Sequence, residues 1–205
     1  MERSGSSNGT AAHAARRTKA ENCDQSSKAK RATARVLTNT PDPETRGRGE
    51  LLLPLIPELE HVADLVARID APLEIGRIAG NLRRMIPISG GEVLGPRIRG
   101  RVLPGGADYQ VMRSDGITDL HARYVIETED NNLIYVENTG IRYGPPELME
   151  RLRRGEPVDP ALIYFRSSPR FETAAPAYEW LMQSLFICSG ARFPDRVELR
   201  IFRVL

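Results

Sequence analysis

Apolar and polar residues alternate strictly in two stretches of this chain, and a period of two predicts strands. Ala122, Tyr124 and Ile126 alternate with His121, Arg123, Val125 and Glu127. One face of that segment is apolar with a single phenol, and the other is mostly charged. Val197, Leu199 and Ile201 alternate in the same way with Arg196, Glu198 and Arg200. From Pro72 onwards, glycines at 76, 80, 90–91, 95, 100, 105–106, 116 and 140 separate short segments of strand-like composition. Asp130-Asn131-Asn132 reads as the turn between the Tyr124 strand and a strand over 133–138, because Asn and Asp tolerate left-handed dihedrals.

One helix is predicted. Pro145-Pro146-Glu147 opens it, Leu148, Met149 and Leu152 give the apolar stripe, and Gly155 stops it after Arg151, Arg153 and Arg154. A second helical turn fits Ala175–Leu185. Residues 60–69 fit either a helix or a strand: Val62, Leu65, Val66 and Ile69 suit the helical period, while the β-branched content suits a strand. Many short antiparallel strands with one helical excursion point to a closed β-barrel, which also removes exposed strand edges. The final strand ends at the last residue, so it is placed to pair with the first.

Composition divides the chain. Residues 1–49 hold no aromatic residue, and they carry ten Lys or Arg against five Asp or Glu. Such a segment buries too little apolar surface to offset its ordering entropy, and it reads as a disordered basic tail. The domain is expected over 50–205. The whole chain is +2, so the residues beyond the tail are acidic by three, which argues against nucleic acid as a partner. No apolar run approaches the roughly 20 residues of a membrane helix. The N-terminus lacks the apolar core of a signal peptide, and the two cysteines, Cys23 and Cys188, fit a reducing cytoplasm. All three lysines lie in the tail, which excludes a lysine nucleophile from the domain. No zinc spacing, nucleophile elbow or phosphate loop is present in the sequence, so neither metal nor cofactor is expected.

Ile86-Pro87-Ile88-Ser89-Gly90-Gly91, Gly95-Pro96, Leu103–Gln110, Asp115-Gly116, Ala122-Arg123-Tyr124, Tyr164-Phe165-Arg166, Pro169–Glu172 and Tyr178–Leu181 occur in that order. Together they resemble the DUF3237 (UPF0311) family over roughly residues 55–205. The resemblance implies a small antiparallel barrel, lipocalin-like in outline, and favours a strand over 60–69. It implies no assigned activity. Three positions depart from the family pattern: Tyr109 stands where Trp is usual, Asn131 where Gly is usual, and Met182 where Asn is common.

The chemistry centres on Leu103-Pro104-Gly105-Gly106-Ala107-Asp108-Tyr109-Gln110. Asp108 and Gln110 share one strand face and Tyr109 takes the other. If their face is the lumen, Asp108 is a candidate general base or acid and Tyr124 a candidate hydrogen-bond donor to substrate. The competing reading has Asp108 holding the backbone N–H groups of the Gly105-Gly106 turn, with Tyr124 a core residue bonded to Asp108 or a carbonyl. Asn138, in phase with Ile134 and Val136, and Gln110 are candidate ligand contacts. Arg166, Glu172 and Trp180 are further candidates at a pocket mouth; the alternatives are an ion pair of Arg166 with Glu172 or Asp108, and a core role for Trp180. His121 shares a face with Arg123 and Glu127 and is expected in solvent. The expected function is binding of a small hydrophobic or aromatic molecule, with cofactor-independent acid–base chemistry (lyase, isomerase or cyclase) on a carbonyl compound, or binding and carriage alone. A homo-oligomer is left open.

Overall fold

The computed structural model describes residues 53–205; the tail expected over 1–49 lies outside them. Ten strands form one antiparallel sheet: β1 (Leu59–Ile69), β2 (Leu73–Ile78), β3 (Asn81–Leu94), β4 (Gly100–Val102), β5 (Gly106–Met112), β6 (Thr118–Thr128), β7 (Leu133–Tyr143), β8 (Tyr164–Glu172), β9 (Leu185–Arg192) and β10 (Arg196–Val204). Their order is β1-β10-β9-β8-β7-β6-β4-β3-β2, and β1 also pairs with β3. That last ladder, from Asp64↔Leu94 to Ile69↔Ile88, closes the barrel. β4 and β5 share one position between β3 and β6, and β1 and β2 share another beside β3. The closed wall therefore has eight positions.

The first and last strands pair as the sequence suggested, from Leu59↔Val204 to Arg68↔Arg196. Residues 60–69 are strand, with Val62, Ala63, Leu65, Ala67 and Ile69 buried. The helix is α1, Pro146–Arg153. Its Pro-first start and Arg-rich last turn match the expected boundaries, and Met149 and Leu152 pack with Val158 and Ile163 in a small core of their own. The second helical turn is shorter than expected, a 3-10 turn over Pro176–Leu181. Asn131 adopts φ 61° in the β6–β7 turn, the left-handed region that Asn enters more readily than most residues.

Inward positions follow the strand period around the wall. They are Ala122, Tyr124 and Ile126 on β6, Ile134, Val136 and Asn138 on β7, Phe165 and Phe171 on β8, Phe186 and Cys188 on β9, and Leu199 and Ile201 on β10. They fill a single core. In three strands the inward series ends on a cation rather than on an apolar residue: Arg84 before Ile86, Arg142 after Asn138, and Arg192 after Cys188.

Candidate functional site

A cleft opens into the lumen, with about 50 Å³ of room for the centre of a water-sized sphere. Its walls are apolar, with Leu65, Ile86, Leu120, Phe165, Val197 and Leu199 among them. Six polar side chains interrupt that lining: Asp108, Gln110, Tyr124, Asn138, Arg142 and Ser167. A mostly apolar concavity with a few convergent polar groups is the usual form of a small-molecule site.

Asp108 and Gln110 share the lumen face, and Tyr109 on the opposite face is half exposed. Three polar residues at this point form a relay. Arg84 Nε donates to Gln110 Oε1 at 2.8 Å, and Gln110 Nε2 donates to Asp108 Oδ2 at 2.6 Å. The other carboxylate oxygen, Oδ1, accepts the backbone N–H of His121 at 2.9 Å. This replaces the turn contact considered from sequence: Asp108 bonds across to β6, and the Gly105 N–H donates instead to the Ile88 carbonyl. The reason lies in the β5–β6 ladder. It pairs Ala107↔Arg123 and Asp108↔Ala122, then resumes only at Val111↔Asp119. The carboxylate takes the N–H that the opened ladder leaves free. His121 contributes only its backbone there, and its side chain is on the exposed face, as its phase indicated.

Tyr124 is buried, and burial pushes its phenol far above the usual tyrosine range; the nearby Cys188 and Asp108 add to the shift and Asn138 opposes it. The hydroxyl therefore stays protonated at neutral pH and can donate. The Asn138 side chain lies close to it, yet Asn138 Oδ1 is buried without a hydrogen-bond partner. Neither the Tyr124–Asp108 bond nor a Tyr124 bond to a backbone carbonyl forms.

Sequence reasoning missed the cations. Arg142 is 2 % exposed, its guanidinium carbon 5.7 Å from the centre of the Phe165 ring, and its Nε has no partner. Burial, with repulsion from Arg84 and Arg192, pushes its pKa down to about 10, while Asp108 opposes the shift; at neutral pH it remains a cation. Arg192, also buried, is pushed down to about 10 by burial and by Arg84, against Asp195 and Asp108. Arg84 is lowered by burial, with Asp108 and Glu74 opposing. The signal was available: Arg142 continues the even-numbered series Ile134, Val136, Asn138 into the lumen. The domain's reliance on arginine as its only long cation hid it.

Three other candidates lie outside the cleft. Arg166 and Glu172 have the opposite parity to the buried Phe165 and Phe171, so both face outward and are exposed. Arg166 Nη1 donates to its neighbour's carbonyl, Phe165 O, at 2.8 Å, and its guanidinium stacks 5.2 Å from the Tyr164 ring. It pairs with neither Glu172 nor Asp108. Trp180 packs on the core beside Phe186, its ring flanked by Arg97 at 4.8 Å and Arg203 at 5.6 Å. Glu60 ties those two arginines together, so Trp180 closes part of the wall and does not line the cleft.

Cys188 is buried among these groups beside Ser167, and burial pushes its thiol up from 9.0 to about 12. The neutral thiol's contribution to stability is complete below pH 9 and is lost as pH rises from 9 towards 12. In a Cys23→Ser background, Cys188 is expected to resist a thiol-specific disulfide reagent at about pH 8 and to react at once in denaturant. Fast labelling of the folded protein would contradict this packing.

The fold and its cleft define a class: a closed antiparallel barrel whose interior cavity is apolar along its walls and polar at one end. The family model described as "Protein of unknown function (DUF3237)" matches residues 57–204. A UPF0311 protein of Rhodopseudomonas palustris strain TIE-1 is 53% identical over 148 residues, covering 72% of this chain and 97% of its own length. The chain belongs to the DUF3237 (UPF0311) family. A crystal structure of a conserved protein of unknown function from R. palustris superposes with a TM-score of 0.70 at 50% identity, over 75% of this chain and all of that one. A β-barrel-like protein from Acinetobacter baumannii AYE superposes at 0.67 with 34% identity, over 76% of this chain and all of that one. No described helix is long and apolar enough to cross a membrane.

Proposed function

We propose that the barrel binds a small, largely hydrophobic molecule in its lumen and carries out cofactor-independent acid–base chemistry on a carbonyl group of that molecule. One observation carries this reading. Asp108 is the single carboxylate lining the cleft, and the cleft also holds a phenol that stays protonated, Tyr124. A fixed base and a fixed donor on one apolar pocket are what proton abstraction next to a carbonyl requires. The base removes the proton, and the donor stabilises the oxygen on which negative charge develops. The apolar walls exclude water and strengthen both interactions. A reducing, cytoplasmic setting fits the free thiol of Cys188.

A panel of aryl ketones in deuterated buffer tests this reading by NMR. The protein is expected to catalyse exchange of the proton next to the carbonyl for at least one member. Asp108→Asn is expected to slow that exchange by about a hundredfold or more while ligand binding persists. A second reading is binding without catalysis, and the relay favours it in one respect: both carboxylate oxygens already accept hydrogen bonds. If a ligand binds the lumen and exchange runs at the same rate in the unaltered protein and in the Asp108→Asn variant, Asp108 is not a base and the barrel is a carrier.

A further inference from the structure

Charge around the cleft is unbalanced as it stands, and of the three buried arginines Arg142 lines the cleft itself. Arg84, Arg142 and Arg192 are 3 %, 2 % and 8 % exposed, and each lies close enough to the others or to Asp108 to shift its ionisation. Asp108 is the one acid that all three feel. Glu74 reaches Arg84 and Asp195 reaches Arg192, but Glu74 is half exposed on β2 and Asp195 three-quarters exposed, so solvent screens both. Three guanidiniums against one interior carboxylate leave an uncompensated positive charge inside the barrel. Removing charges from water without balancing them is costly, and a fold seldom keeps such an arrangement unless something else balances it.

The unpaired atoms sharpen the point. Arg142 Nε, Asn138 Oδ1 and Ser167 Oγ are all buried without a hydrogen-bond partner, and all three residues line the same cleft. Buried polar groups are normally satisfied, so orphans converging on one cavity mark a missing partner. Arg142 is positioned for such a partner by its neighbours. On β7 it stands opposite Thr118 of β6 and Phe165 of β8, and the Phe165 ring lies over Gly190 of β9, where a Cβ would come within 2.7 Å of the ring. The ring packed in that way holds the arginine's flank at the cleft wall.

We propose that this end of the cleft is an anion subsite, and that the lumen ligand carries a carboxylate held by Arg142, with a hydroxyl or carbonyl oxygen reaching Asn138 and Tyr124. This rests on the lumen being a ligand site, as proposed above, and adds the ligand's charge. A guanidinium presents a planar fork that matches a carboxylate. Asp108 lines the same cleft, so a second negative charge on the ligand meets repulsion there. A monoanionic carboxylate therefore suits the subsite better than a phosphate dianion.

Calorimetry on the full chain tests this with single-ring probes of matched shape: benzoate, benzamide and phenyl phosphate. Methyl NMR of Leu65, Leu120 and Leu199 locates any binding in the cleft. Benzoate is expected to bind about tenfold or more tightly than benzamide, and also more tightly than phenyl phosphate. Arg142→Met is expected to abolish the preference for benzoate, weakening benzoate by a much larger factor than benzamide. Asp108→Asn, by removing the one interior negative charge, is expected to strengthen benzoate binding. If benzamide binds the cleft as tightly as benzoate in the unaltered protein, the anion subsite is wrong and the lumen reading stands; that comparison needs no variant to fold. If phenyl phosphate is preferred, the carboxylate assignment is wrong. If no probe moves the cleft methyls, the lumen reading fails and this proposal fails with it.

Discussion

Asp108→Asn is expected to destabilise the folded domain by about 2 kcal/mol, a large effect for a change of one atom. The cause is the direction of the relay. Arg84 Nε can only donate, so Gln110 must turn Oε1 towards it and Nε2 towards Asp108. A carboxylate accepts from both Gln110 and His121 N. An asparagine can accept with one end only. If its oxygen keeps the His121 N–H, its amide group opposes the Gln110 amide, donor against donor. If Gln110 flips to relieve that clash, its amide opposes Arg84. The variant also removes the acid that all three interior arginines feel. Asp108 is only half-buried, and water screens part of this loss, which keeps the figure below that for a fully interior pair. Urea denaturation gives the value. In an Arg84→Met background the relay has no fixed direction, and the cost of Asp108→Asn should fall by about 1 kcal/mol. A loss under about 0.5 kcal/mol in the otherwise unaltered protein would mean the relay contributes little.

Gly91→Ala is expected to cost more, about 3 kcal/mol or above, and to leave much of the protein unfolded at moderate temperature. Gly91 stands opposite Ala67 in the ladder between β1 and β3, the ladder that closes the barrel. A Cβ there would lie 2.1 Å from the Val66 carbonyl oxygen and 3.1 Å from the Ala67 Cα. Those are backbone atoms of a paired strand, so relief means moving β1 away from β3. Val66 and Ala67 sit between Leu65 and Ile69 on the same strand, and Leu65, Ala67 and Ile69 all line the cleft. Opening this seam would therefore disturb the site as well as the wall. Gly155→Ala is the control. Gly155 has φ 76° and nothing within 4 Å of an added Cβ, so only the left-handed backbone strain applies, about 1 kcal/mol. Similar losses at 91 and 155, measured by thermal unfolding, would show that the β1–β3 approach is looser than described.

Parity accounts for most of what could be read in the sequence. On β6 and β7 the alternation of Tyr124, Ile126, Ile134 and Val136 placed Tyr124 and Asn138 inside, and both line the cleft. The spacing of Asp108 and Gln110 put them on one face, where they are bonded to each other. The same rule applied to β8 sets Arg166 and Glu172 outside, because Phe165 and Phe171 hold the inward positions. Applied to the end of β7, it would have set Arg142 inside. An arginine continuing an apolar series is easily read as the strand's exit into solvent, and only the closed wall shows that Arg142 is still inside.

Other features were not legible from any one segment. The interior charge excess joins Arg84 of β3, Arg142 of β7 and Arg192 of β9, three strands brought together by the stagger of the whole barrel. The Asp108–His121 bond depends on a local opening of the β5–β6 ladder, which no residue pattern in either strand announces. Trp180 lies in the 3-10 turn over Pro176–Leu181, where no strand alternation assigns its side chain a face. Its place was set by Arg97 before β4 and Arg203 of β10, which flank its ring.

The most direct measurement is a crystal of the full chain soaked with 4-bromobenzoate and examined for anomalous scattering from bromine. The expected result is one bromine peak within the lumen among Leu65, Phe165 and Leu199, with the carboxylate directed at Arg142, and loss of that peak in Arg142→Met. Bromine found only on the outer face of the barrel would contradict the assignment of this cleft as the site, and an undisturbed lumen peak in the Arg142→Met crystal would contradict Arg142 as its anion-holding residue.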